Sequence, residues 1–108
     1  MKALIFLVIA GFAASFAVAG EIYGTVSETG KPVSAGVKVE ITAAGKTYAG
    51  ETDKFGTYHI FVVDKGKCQL TVHYKDQTPA ADIFSYDRST RYDWTVETAD
   101  GKMTLKRK

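Results

Sequence analysis

Beyond residue 20 the chain alternates apolar and polar side chains with a period of two, and turn residues break the alternation at short intervals. Ile22-Tyr23-Gly24-Thr25-Val26 opens as a strand, and the stretch 28–32 is a turn region. Val37, Val39 and Ile41 alternate with Lys38 and Glu40, the mark of a strand with one face on a core and the other in water. Ala44-Gly45-Lys46 turns the chain into a strand over 47–52, and Asp53-Lys54-Phe55-Gly56 turns it again. In the next strand Tyr58, Ile60 and Val62 share one face, while His59, Phe61 and Val63 share the other. Asp64-Lys65-Gly66-Lys67 reads as a tight hairpin turn into a strand where Cys68, Leu70, Val72 and Tyr74 alternate with Gln69, Thr71 and His73. A loop over 75–79 precedes a less regular strand over 81–86. Then Tyr92, Trp94 and Val96 alternate with Arg91, Asp93 and Thr95, and Ala99-Asp100-Gly101-Lys102 makes a hairpin into Met103-Thr104-Leu105.

This pattern predicts an all-β fold of about seven or eight short strands, a sandwich or barrel. Short connections predict antiparallel pairing, because parallel neighbours need long crossovers. No stretch after residue 20 has a helical period, and no linker or repeat divides the chain.

The first twenty residues follow a different rule. Met1-Lys2 is a short positive start, residues 3–18 carry no charge, and Ala17-Val18-Ala19 is a small-x-small sequence that a signal peptidase accepts. A membrane-spanning anchor needs roughly 18 strongly apolar residues; here the apolar run is diluted by Gly11, Ala13, Ala14 and Ser15. Residues 1–20 are therefore expected to be a cleavable export signal, cut after Ala19 or close by, and 21–108 the mature domain. No membrane span is expected to remain. The brief basic start has a bacterial look, so the expected destination is the periplasm or the cell exterior.

Without Lys2 the chain keeps 13 basic against 12 acidic residues, a balance that points to neither nucleic acid nor a membrane surface. The terminal Lys106-Arg107-Lys108 is expected to be a solvated, frayed tip. Cys68 is the lone cysteine, so no internal disulfide is possible; it is expected to pack as a small hydrophobe, the alternative being an intermolecular disulfide. Stability must come from packing, to which all six tyrosines, Trp94, Phe55, Phe61 and Phe84 are available.

The segments Ile22-Tyr23-Gly24-Thr25-Val26, Gly30-Lys31-Pro32-Val33, Val37-Lys38-Val39-Glu40-Ile41 and Thr52-Asp53-Lys54-Phe55-Gly56-Thr57-Tyr58 together resemble the carboxypeptidase regulatory-like domains. The resemblance implies a transthyretin-like Greek-key β-sandwich. It also implies architectural roles for Gly24, Pro32, Asp53, Gly56 and Tyr58: Gly56 as a tight-turn residue, Asp53 as a side-chain acceptor for turn amides, and Pro32 stiffening the first loop. Such domains serve mostly as folding, spacing or binding modules. The fold also includes hydroxyisourate hydrolases, which use histidines and an arginine in a tetramer channel, but their Tyr-Arg-Gly-Ser-like ending is missing from this chain.

Candidate chemistry is sparse. His59 and His73, the two histidines, lie on outward faces and would meet across a hairpin at 64–67, a weak candidate metal pair. A specific site needs three or four ligands, so no metal and no cofactor is expected. No Gly-x-Ser-x-Gly elbow, phosphate loop or calcium loop is present, and no catalytic residue is assigned. Tyr92, Trp94 and Val96 are expected in the core. Phe61 and Phe84 are the apolar rings expected outside, and His59, Phe61 and His73 form the expected interaction surface. The function expected is that of a non-enzymatic module for protein interaction or structural support, a monomer or weak oligomer. The alternatives are a carbohydrate- or peptide-binding protein and, behind it, a transthyretin-like hydrolase.

Overall fold

The structure, a computed structural model, describes residues 20–108. Of the expected export signal, residues 1–20, all but Gly20 lie outside the described residues. Ten strands follow in order: β1 (Glu21–Glu28), β2 (Lys31–Pro32), β3 (Lys38–Ala43), β4 (Lys46–Glu51), β5 (Thr57–Phe61), β6 (Gly66–His73), β7 (Ala80–Ser85), β8 (Thr90–Arg91), β9 (Trp94–Ala99) and β10 (Lys102–Arg107). They form two sheets packed face to face, the expected all-β sandwich. One sheet has the order β4-β3-β6-β7, antiparallel throughout. The other runs β10-β9-β1-β2, with β5 and β8 also paired to β1.

Alternation sets the core. Ile22, Val26, Tyr58, Ile60, Trp94 and Val96 from one sheet meet Val39, Ile41, Leu70, Val72 and Ile83 from the other, all nearly sealed from solvent. The Tyr58 hydroxyl lies at the centre of this layer. It donates to the Tyr92 carbonyl at 2.7 Å and accepts from Trp94 Nε1 at 3.2 Å, so both buried polar groups are satisfied. Burial drives its ionisation far upward. Tyr92 stacks on Trp94 at 5.9 Å, and Arg107 lies 4.5 Å from the Tyr92 ring centre.

β1 changes partners halfway along. Its first half pairs with β5 on one side (Glu21↔Phe61 to Thr25↔Thr57) and with β8 on the other. Its second half pairs with β2 and β9 instead. At the first exchange the Gly56 carbonyl accepts from the Val26 amide at 2.8 Å, and a Cβ on Gly56 would lie 2.6 Å from the Val26 carbonyl oxygen. At the second, a Cβ on Gly24 would lie 1.9 Å from the Tyr92 carbonyl oxygen. Asp93 seals that junction by accepting from the Thr25 amide at 2.9 Å and its hydroxyl at 3.0 Å. Asp53 accepts from the amides of Phe55 and Thr57, closing the turn that carries Gly56. Pro32 packs against that same turn, its Cβ 3.1 Å from the Gly56 Cβ position.

Three local expectations are corrected. The 64–67 connection is not a hairpin: β6 is flanked by β3 and β7, so β5 has no edge to join there and the chain crosses to the opposite sheet. β1 runs parallel to β8 and β9, because the intervening chain completes the second sheet before returning, and a hairpin argument covers only adjacent strands. The basic C-terminus is not frayed. Arg107 of β10 pairs with Trp94 of β9, and the Lys108 amide donates to the Asp93 carbonyl.

Tyr58→Phe is expected to cost about 2 kcal/mol, because Trp94 Nε1–H and the Tyr92 carbonyl both lose a buried partner. Urea unfolding checks it: the midpoint should fall with an unchanged slope.

Candidate functional site

The outward phase of β1 is Glu21, Tyr23 and Thr25; that of β5 is Thr57, His59 and Phe61. Their register places Glu21 beside Phe61 and Tyr23 beside His59, while Arg91 of β8 flanks Tyr23 on its other side. Three strands thus present one strip across the outside of the sheet: His59, Tyr23 and Arg91 in a row, with Phe61 and Glu21 in the next. The Tyr23 and His59 rings are almost coplanar in orientation, 9° apart with centroids 5.9 Å apart. Phe61 is 52% exposed at the end of the strip.

The polar groups hold one another in place. His59 Nδ1 lies 2.8 Å from Glu21 Oε2, which fixes Nδ1–H as the donor and turns Nε2 toward solvent. Ser89 donates to the other Glu21 oxygen at 3.2 Å. Arg91 Nε donates to both Asp93 oxygens, at 3.1 and 2.9 Å. Partial burial raises the Asp93 carboxyl, but the hydrogen bonds from Thr25 and Arg91 outweigh it and leave the group below the usual carboxylate range. The strip therefore offers flat ring surface, one oriented imidazole nitrogen and a guanidinium edge. It can stack and hydrogen-bond a ligand laid across it.

His73 is not part of this strip. It lies on β6 in the opposite sheet, where it bonds Glu40, and Lys38 joins the same carboxylate at 3.3 Å. The cross-strand His59–His73 pair fails because the connection between β5 and β6 changes sheets. Each histidine instead has its own carboxylate. Among the described residues no group of three or more His, Cys, Asp or Glu side chains is placed to hold a metal ion. Cys68 faces inward, donates to the Gly66 carbonyl and is held above the usual thiol range chiefly by burial. Phe84 is 47% exposed on the other sheet and stacks on Tyr86, with Arg88 above the Tyr86 ring. Tyr92 and Trp94 are core. A shallow hollow of about 550 Å³ lies at the far end of β1, lined by Glu28, Thr95, Glu97 and Thr104 among others; it shares no residue with the strip.

Sequence reasoning missed Glu21, Tyr23 and Arg91. The available signal was phase: in β1 the residues opposite Ile22 and Val26 are Glu21, Tyr23 and Thr25. Which strand would lie beside β1 was not readable locally.

No family model matches the chain, and no curated protein matches it in sequence. Among solved structures it is similar to a 5-hydroxyisourate hydrolase of Klebsiella pneumoniae, at 17% identity and a TM-score of 0.58, over 82% of this chain and 98% of that one. It is similar too to a candidate carbohydrate-binding protein of Bacteroides uniformis, at 14% identity and TM-score 0.55 over 81% of this chain. A cohesin–X-dockerin complex of Acetivibrio cellulolyticus gives 16% and 0.52 over 79%. The chain spans about half the length of the latter two, 52% and 56%. At these identities the likeness is one of fold: a transthyretin-like β-sandwich.

Hydrogen bonding also holds Glu28, Glu40 and Asp53 below their usual range: Tyr74 chiefly for Glu28, His73 for Glu40, and the Thr57 and Phe55 amides for Asp53. A carboxylate with a lowered folded pKa stabilises in full above its unfolded value, about 4, and loses that contribution as pH falls through the folded value. The melting temperature is thus expected to drop between about pH 4.5 and pH 2. Asp93→Asn should be less stable at neutral pH and show a shallower acid slope, measurable by calorimetry across that range.

Proposed function

We propose that this chain is an exported, non-enzymatic interaction module that binds its partner on the outer strip of β1, β5 and β8. The carrying observation is the contiguous Phe61–Glu21 and His59–Tyr23–Arg91 arrangement, a surface of exposed Phe61 and His59 beside half-buried Tyr23 whose charges are pre-set by neighbours. Preorganised rings and polar groups bind with little ordering cost. The strip is open to solvent, which suits docking better than a reaction that must exclude water. Export rests on the leader residues 1–20 and places 21–108 in the periplasm or outside the cell. Membership among the carboxypeptidase regulatory-like domains is supported by Gly24, Pro32, Asp53, Gly56 and Tyr58, which here serve the partner exchange of β1 and the core beneath it. Among the described residues no helix is long and apolar enough to cross a membrane.

A glycan partner is favoured as the second reading by the stacked Tyr23 and His59 beside exposed Phe61, since sugars pack flat faces on rings and bond their hydroxyls to flanking Glu and Arg. The fold likeness to a candidate carbohydrate-binding protein agrees with it.

Immobilised exported protein, probed with native extracellular extract and with a glycan array, tests both readings. A ligand bound by the wild type should weaken about tenfold or more with Tyr23→Ala or Phe61→Ser, and remain with His73→Ala. Binding that ignores the first two substitutions would place the interaction elsewhere.

A further inference from the structure

β10 is the last strand of its sheet, so one of its edges has no strand beside it. Alternation along an antiparallel ladder decides which backbone groups lie on that edge. The β9–β10 turn closes on the pair Ala99↔Lys102, and the Lys108 amide donates to the Asp93 carbonyl. Lys102, Thr104, Lys106 and Lys108 therefore turn their backbone groups toward β9, while Met103, Leu105 and Arg107 turn theirs outward. The Met103 amide agrees, since it donates to Gln77 Oε1 at 2.9 Å.

One step of this edge already holds an amide group. The Gln77 side chain accepts from Met103 and donates through Nε2 to the Gly101 carbonyl at 2.8 Å, as a peptide group of a neighbouring strand would. Beyond it, the outward groups of Leu105 and Arg107 meet no strand among the described residues. A hollow of about 360 Å³ runs along this side, lined by Gln77, Pro79, Ala80, Met103 and Thr104 among others. The edge of β7 is different: at Phe84 both amide and carbonyl are taken by the Tyr92 hydroxyl. An edge left open accepts an added strand.

Charge decides which strand fits. The outward side chains of β10 are Lys102, Thr104 and Lys106, all exposed, and exposed Lys108 follows in the same phase. Glu97 of β9 lies 4.0 Å from Lys106 and offsets one of these three lysines. A second copy of β10 is a poor occupant. An antiparallel copy bonded through Leu105 sets that residue opposite Met103, Leu105 or Arg107. Those registers place Lys102 opposite Lys106, Lys102 opposite Lys108, or Lys106 opposite its own counterpart, and like charges facing across a ladder oppose pairing.

We propose that the β10 edge receives an extended acidic peptide, which joins the sheet as an antiparallel strand at Leu105 and Arg107. Carboxylates at alternate positions lie against Lys106 and Lys108, and the apolar side chains between them fall in phase with half-buried Leu105. This surface shares no residue with the outer strip of β1, β5 and β8.

Short capped peptides alternating glutamate with valine, titrated into the purified protein, test this. In the added strand the valine amides face β10 and the glutamate amides face solvent. Methylating the valine nitrogens should therefore abolish binding, and methylating the glutamate nitrogens should leave it. Lysine in place of glutamate should weaken binding about tenfold or more, as should Lys106→Glu combined with Lys108→Glu in the protein. Cooperative urea unfolding shows that this variant is folded. Amide exchange at Leu105 and Arg107 should slow when the acidic peptide binds, and Tyr23→Ala should change nothing. Equal binding of the two methylated peptides, or of the acidic and basic ones, would overturn the proposal. Loss of binding with Tyr23→Ala would place the peptide on the outer strip instead. A dimer that protects Leu105 without peptide would make a second copy the occupant, against the proposal. No binding of the acidic peptide at millimolar concentration would leave the lysines as guards of an edge and refute it.

Discussion

The exchange of partners along β1 is the constraint on which the rest of the sandwich depends. An eight-residue strand in the middle of a sheet presents hydrogen-bonding groups on both edges, and buried ones cannot be left open. Here no single neighbour runs its full length. β5 and β8 cover the first half, β2 and β9 the second, and the two seams are closed by close backbone approach at Gly56 and Gly24. Asp93 and Asp53 complete the closure by taking up amides that the ladders leave behind. Side chains at either glycine would force the neighbouring strand away, and the core below would lose its lid.

The same exchange places the candidate binding strip. Because β5 and β8 flank the first half of β1 on opposite sides, residues far apart in the chain fall into register there: His59 and Arg91 both neighbour Tyr23. The interior below is fixed by Tyr58, whose hydroxyl joins Tyr92 and Trp94. Tyr58 and His59 are adjacent residues on opposite faces, so the rigidity of the core layer is passed directly to the imidazole above it. Glu21, next to buried Ile22, is positioned in the same way. A binding surface built from the outward phase of well-packed strands needs no loop to order itself on binding.

Much of this was legible in the sequence. The inward set Tyr58, Ile60 and Val62, the inward set Cys68, Leu70 and Val72, and Tyr92, Trp94 and Val96 all follow from period-two alternation. His59 and Phe61 were correctly placed outside by the same rule. The misplaced hairpin and the lost histidine pair share one cause. Residues 64–67 look like a hairpin turn because Asp, Lys and Gly suit such turns, yet the same residues also bridge two sheets. The choice depends on which edges are free, and β6 has none to spare once β3 and β7 have paired with it. His73 was lost from the strip for that reason alone.

The sequence by itself determined the longer strands, their inward and outward faces and most of the turns, because these depend on side-chain polarity and backbone preference within a few residues; the two-residue strands β2 and β8 and the crossing at 64–67 were not legible in it. Only the tertiary structure decided which strands are neighbours, and with that the meeting of Glu21, Tyr23, His59, Phe61 and Arg91 and the separation of His59 from His73. Those outcomes depend on competition for sheet edges among segments distant in the chain. Local pattern carries no record of that competition.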